Sequence, residues 1–151
     1  MILIQSIIVN CQTNPLFHLS LVNRERAKYG LEPLVLCNCL IASAQAQSDY
    51  QSNIEQMTHN SLYGDLFERI EPFDIVDAVS VAENVACGQR DDNKVFKDWM
   101  RSYAHRQNIL GDFNRFGVAV SQSESGDLYW SQHFANAQHC NRFNSTTSFD
   151  N

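Results

Sequence analysis

Near residue 116 the spacing of apolar residues changes from that of a helix to that of a strand, and this change sets the class of fold. Phe116, Val118 and Val120 alternate with Gly117 and Ala119, and Leu128, Trp130, Gln132 and Phe134 alternate with Tyr129, Ser131 and His133. A period of 2 puts successive side chains on opposite faces of a strand. Residues 122–127 between the two runs contain the Gly and Asp of a hairpin loop. Upstream the period is helical. Asn14 caps and Pro15 opens a first helix that carries Leu16, Leu19, Val22 and Arg26 and closes at Gly30. Pro33 keeps residues 31–36 extended. A second helix is expected over 38–52, with Leu40, Ile41, Ala44 and Ser48 on one face and Gln45, Gln47 and Asp49 away from it. Residues 57–64 read as a loop, 66–70 as a helical turn ended by Pro72, and 81–86 as another helical turn ended by Gly88. Asp91, Asp92 or Asn93 then caps a third long helix with a stripe of Val95, Phe96, Trp99, Met100 and Tyr103. Helices first and a hairpin last describe an α+β domain, with helices packed on a small antiparallel sheet.

The rest of the composition narrows the classes of function. With 151 residues, 44% of them hydrophobic, the chain suits one domain with a substantial core and is not disordered. Eleven Lys and Arg against 17 Asp and Glu leave a net charge of −6, which argues against broad nucleic-acid or anionic-membrane binding. No apolar run approaches the ~20 residues that span a bilayer. Residues 1–14, with the apolar stretch 2–9, read as a leader or signal peptide, although no Lys or Arg precedes the stretch; a hydrophobic first strand is the alternative. The domain is then expected over 15–137, followed by a polar tail at 138–151. Of the five cysteines, Cys37 and Cys39 form C-x-C, not the C-x-x-C of a zinc ribbon or thioredoxin site. Removal of Cys11 with a leader leaves four, an even number that suits an oxidising compartment.

Three polar side chains stand out as chemistry: His59, Glu83 and His105, each placed where a helix is expected to meet a loop. Two imidazoles and a carboxylate can hold zinc or another divalent cation with positions left for water, or can position a water for general-base work. Their separations of 24 and 22 residues match no local metal motif. His18, His133 and His139 read as structural or exposed, with His133 facing outward from the last strand. Gln132, mid-strand on the Trp130 face, needs a partner if buried. No G-x-S-x-G elbow, nucleophilic cysteine context or glycine-rich phosphate loop is present.

The motifs together resemble the CAP superfamily, the SCP-type domains of cysteine-rich secretory proteins, venom allergens and plant pathogenesis-related proteins. The resemblance rests on Leu21-Val22-Asn23-Arg24-Glu25-Arg26 with Gly30-Leu31-Glu32-Pro33-Leu34, on His59-Asn60, and on Ala82-Glu83-Asn84-Val85-Ala86. It continues through Trp99-Met100, Ser102, His105-Arg106, Asn108-Ile109-Leu110, Phe116-Gly117-Val118-Ala119 and Tyr129-Trp130-Ser131-Gln132-His133-Phe134, in order over about residues 16–136. The short 99–110 arrangement is most similar to compact microbial members. The resemblance implies an α-β-α sandwich and the gathering of His59, Glu83 and His105 in one cleft, supported by Asn84, Asn108 and Gln132. Many members carry a further acidic residue just after the Trp of the third long helix; here that stretch is Met100-Arg101-Ser102, without a carboxylate.

What the resemblance implies for function is a secreted protein that acts by binding rather than catalysis. Its ligand would be a lipid, sterol or other small hydrophobic molecule, and a weakly held zinc or other divalent ion would sit at His59, Glu83 and His105. Phe67, Phe73 and Ile75 are the nearest candidates for ligand contacts. The alternatives are a metal-assisted hydrolase with Glu83 as general base and a structural or defence-related protein with an inert cleft. Cys140, beyond the last strand, is expected to clip to the start of the second helix at Cys37 or Cys39, with Cys87 as a buried free thiol.

Overall fold

The structure, a computed structural model, describes residues 12–140; the leader stretch up to Cys11 and the tail from 141 lie outside it. In chain order come α1 (Pro15–Ala27), β1 (Val35–Leu36), α2 (Asn38–Ile54), α3 (Leu66–Ile70) with a 3₁₀ turn at Glu71–Phe73, β2 (Ser80–Cys87), α4 (Asp92–Arg101), α5 (Tyr103–Ile109), β3 (Arg115–Gln122) and β4 (Leu128–Asn136). The four strands form one sheet in the order β1-β3-β4-β2. Its body is antiparallel, and the two-residue β1 joins β3 in parallel, so the sheet is mixed.

The first helix starts where expected, with the Asn14 side chain accepting from Phe17 N at 3.0 Å and Pro15 in the first turn. Its polar residues act as ties. Asn23 donates to Leu34 O at 3.0 Å and accepts from Leu34 N at 2.8 Å, holding the extended segment that leads into β1. Buried Arg26 donates to Glu32 O, Ile109 O and Gly111 O at 2.9, 3.0 and 2.7 Å, which fastens α1 to the end of α5.

Two layers of helix cover the sheet. On one face Phe116, Val118, Val120, Leu128, Trp130 and Phe134 pack with Val22 of α1, Val95 and Trp99 of α4 and Ile109 of α5. On the other face lies α2, whose Leu40 joins Ala135 and Ile70 in a second apolar cluster. Gly117 is where α2 comes nearest: a Cβ there would sit 2.2 Å from the Leu40 carbonyl carbon. The close approach therefore demands glycine for steric reasons.

Three expectations are corrected. Residues 81–86 are not a helical turn but the middle of an eight-residue strand paired with β4 from Ser80↔Asn136 to Cys87↔Tyr129. A short run that contains two valines reads equally as strand or helix, and pairing with β4 decides it. The third long helix breaks at Ser102 into α4 and α5. Finally, α2 covers the face onto which Ser131 and His133 project, so His133 is buried, as is Gln47 on α2. Alternation marks a solvated face only where no second layer covers it.

Cys37 and Cys140 form a disulfide with Cα atoms 6.0 Å apart, 103 residues apart in sequence. Of the two attachments open to Cys140, the structure takes Cys37, and Cys39 and Cys87 remain thiols. Closing a loop of that size stabilises by about 4–5 kcal/mol in the chain-entropy account.

Candidate functional site

Glu83 sits mid-strand on β2, directly opposite His133 of β4. Strand geometry turns both side chains toward α2, and His133 Nε2 donates to Glu83 Oε2 at 2.8 Å. Ser43 of α2 holds the other ring nitrogen, 2.8 Å from His133 Nδ1. From α3 comes Arg69, bidentate on the same carboxylate: Nη1 to Oε2 at 2.9 Å and Nη2 to Oε1 at 3.1 Å. His59, in the loop after α2, completes the set with Nδ1 donating to Oε1 at 2.9 Å. The carboxylate thus receives two donors on each oxygen and has no lone-pair direction left over.

This saturation decides the electrostatics. Burial alone would favour the neutral acid. Hydrogen bonds from His133 and His59, with the His133 charge and Arg69, outweigh it and hold the Glu83 carboxyl well below the usual carboxylate range. Glu83 is almost fully buried, whereas the His59 side chain is 59% exposed and forms the solvent end of the cluster. The loop that carries His59 is fixed from α2. Gln47 donates to Thr58 O and Asn60 O at 2.9 and 3.2 Å, and Gln51 accepts from Thr58 N at 3.1 Å. Gln47 also accepts from Arg69 Nη1 at 2.6 Å, so one amide locks both the loop and the guanidinium.

His105 opens from α5 beside His59. Its pKa is lowered, first by burial and then by the charge of His59, which favours the unprotonated ring at neutral pH. Asn84 donates to the His105 carbonyl at 3.1 Å and to Gln132 Oε1 at 2.9 Å, while Asn108 donates to Asn84 Oδ1 at 2.8 Å and to Glu83 O at 3.1 Å. The three amides expected beside the cleft therefore form one network that fixes the backbone at both Glu83 and His105.

A cavity of about 270 Å³ adjoins the ionic cluster between α2 and residues 61–73. Ala46, Tyr50, Tyr63 and Phe73 supply apolar wall, and Gln47 and Arg69 line it as well. Arg69 is nine-tenths buried, and its Nε–H has no hydrogen-bond partner. The three expected ligand contacts divide in two: Phe73 lines this cavity, whereas Phe67, 46% exposed, and Ile75, largely buried in the α2-side core, share an outer groove.

Arg69 and His133 are the site residues that sequence reasoning missed. Arg69 had a signal: with Leu66 and Ile70 it falls on the inward stripe of a short helix, where a cation needs a buried carboxylate. His133 had none once its face was taken as solvated.

Known proteins share the fold. An uncharacterised Bacillus subtilis protein, YkwD, is 38% identical over 115 residues, covering 76% of this chain; the chain spans 44% of that relative's length. An outer surface protein from Borrelia burgdorferi has the same fold, with a TM-score of 0.73 at 18% identity, over 82% of this chain and 91% of that one. So does an extracellular SCP-domain protein from Bacillus anthracis, with a TM-score of 0.73 at 23% identity, over 81% and 40% of the two chains. The model of the cysteine-rich secretory protein family, CAP, matches residues 19–134, which include every residue of the cleft. The chain is a member of the CAP family.

Proposed function

We propose that this CAP domain works by binding, taking a small lipid-like or sterol-like ligand with an apolar body and a hydrogen-bond acceptor into the cavity between α2 and residues 61–73. The observation that carries the reading is the pairing of an apolar wall with the buried cation Arg69 in the lining of one cavity, beside an Nε–H that has no hydrogen-bond partner. The ionic cluster is its rigid floor, since Arg69 is held by Glu83 and Gln47 before any ligand arrives. An extracellular setting fits the Cys37–Cys140 disulfide, and among the described residues no helix is long and apolar enough to cross a membrane.

A divalent cation, zinc in the first instance, is assigned in this reading to the free ring nitrogen of His59 and to His105. Glu83 serves as the carboxylate that orients an imidazole ligand through its other nitrogen. Bound there, the ion would supply Lewis acidity to a neighbouring ligand group. Titration of zinc by calorimetry should give one-to-one binding that the His59→Ala/His105→Ala variant loses; a wild type that does not bind removes the ion from the account. The hydrolase reading needs Glu83 to act as general base with a pKa near the working pH, and a carboxylate held this firmly in its ionised form is a weak base.

The ligand site is tested with cis-parinaric acid, a fluorescent polyene acid. Saturable fluorescence enhancement is expected for the wild type and for His59→Ala/His105→Ala, and its loss for Ala46→Trp, which fills the cavity. Enhancement unchanged by Ala46→Trp overturns the cavity as the site.

A further inference from the structure

Away from the cleft, three sulfurs meet at the start of α2. Cys37 is bonded to Cys140, and the buried Cys39 thiol lies in the same cluster, with all three Sγ atoms within 4.8 Å of one another. A clip between two segments needs two sulfurs, so the third is surplus to it. The cluster is also assembled by backbone contacts and not by the disulfide alone. Cys37 N donates to Phe116 O at 2.9 Å. On the facing segment Ala137 N donates to Asn114 Oδ1 at 3.0 Å, and Gln138 N and His139 N both donate to Asp77 Oδ2, at 3.2 and 3.1 Å. Opening the S–S bond leaves the chain anchored one residue before Cys140.

We propose that, when the Cys37–Cys140 disulfide is reduced, Cys37, Cys39 and Cys140 form a three-thiolate site for a soft divalent cation of the zinc and cadmium type. A dithiol reductant delivers two electrons and two protons to the disulfide and is itself oxidised to a disulfide. The cation then takes the place of one proton on each of the three thiols, releasing three protons. Thiolates lie about 2.3 Å from zinc, which puts sulfurs about 3.8 Å apart in a tetrahedral shell. The Cys37 and Cys140 sulfurs therefore part by about 1.8 Å from their bonded separation of about 2.0 Å, while the Cys39 sulfur already lies within 4.8 Å of both. Three sulfurs leave the fourth position to a solvent or small-molecule ligand. The negative charge gathered there faces the N-terminus of the 17-residue α2, the positive end of its dipole.

The test uses the full chain with Cys11→Ser and Cys87→Ser, so that only the three cluster cysteines remain. After reduction by a dithiol and its removal, cadmium is titrated while thiolate-to-cadmium absorbance is followed. Saturation at one ion per chain is expected, with no band from the oxidised protein. Cys39→Ser in the same background should weaken binding by more than the about 10–100-fold that follows loss of a ligand's outer partner; Cys39→Ala should do the same without a hydroxyl. Equal affinity in the Cys39 variants overturns the proposal, as does a band in the oxidised protein. So does loss of far-ultraviolet circular dichroism on reduction that cadmium fails to restore.

Discussion

Two polar clusters lie back to back across β2 and β4, made from neighbouring residue pairs in the same register. Glu83 faces His133, and one residue along Asn84 faces Gln132, so strand alternation sends the first pair toward α2 and the second toward α1 and α5. The second cluster is closed: Gln132 Nε2 lies 2.7 Å from His18 Nε2, His18 Nδ1 is 2.7 Å from Asp92 Oδ1, and Asp92 accepts from Thr13 and from Asn14 N. It ties the sheet to the beginnings of α1 and α4 and offers no open end. The first cluster is ionic and ends in exposed His59 on one side and the cavity at Arg69 on the other. One pair of strands thus carries a fastening on one face and a site on the other, and access rather than polarity distinguishes them.

Substitutions can break that distinction, and the largest effect is expected at Arg69. Arg69→Ala leaves Glu83 buried with imidazoles alone and should destabilise by about 3–5 kcal/mol in urea unfolding; a loss below about 1 kcal/mol would mean that the cluster is no buried ion pair. Gly117→Ala forces α2 off the sheet and should lose about 1–3 kcal/mol. It should disturb the Ser43–His133 contact while the His18–Asp92 pair keeps its NMR signature. Gln132→Leu takes one hydrogen-bond partner each from buried Asn84 and His18 and is expected to cost about 1–3 kcal/mol without altering parinarate binding. A pH series sharpens the contrast further. Because Glu83 is depressed in the folded state, its stabilisation is complete above the unfolded carboxylate value of about 4.3 and is lost as pH falls through the folded value. Glu83→Gln should therefore show a shallower acid slope than wild type. The smallest effect belongs to exposed His59, where alanine should change stability by less than about 1 kcal/mol yet abolish zinc binding.

Much of this arrangement is legible in the sequence. The first helix announces itself through Asn14 and Pro15, and the hairpin through its period of 2. The convergence of His59 with Glu83, in contrast, comes from family resemblance, because their separation along the chain holds no local signal. The strand at 80–87 is hidden because its buried residues are the consecutive Glu83, Asn84, Val85 and Ala86, two polar and two apolar; both faces are covered, so no clean alternation survives. His133 is missed for the same reason. Arg69 shows how a charged residue on an apolar stripe can report a buried partner before the partner is known.

The most direct test of the account follows Glu83 itself. The carboxyl carbon of Glu83, observed by NMR in protein labelled with carbon-13 at glutamate and assigned by Glu83→Gln, is titrated across pH. The account predicts that it stays ionised throughout and below the ordinary glutamate midpoint of about 4.3. A midpoint between about 5 and 7, the range a general base needs, would contradict it and return the cleft to catalysis.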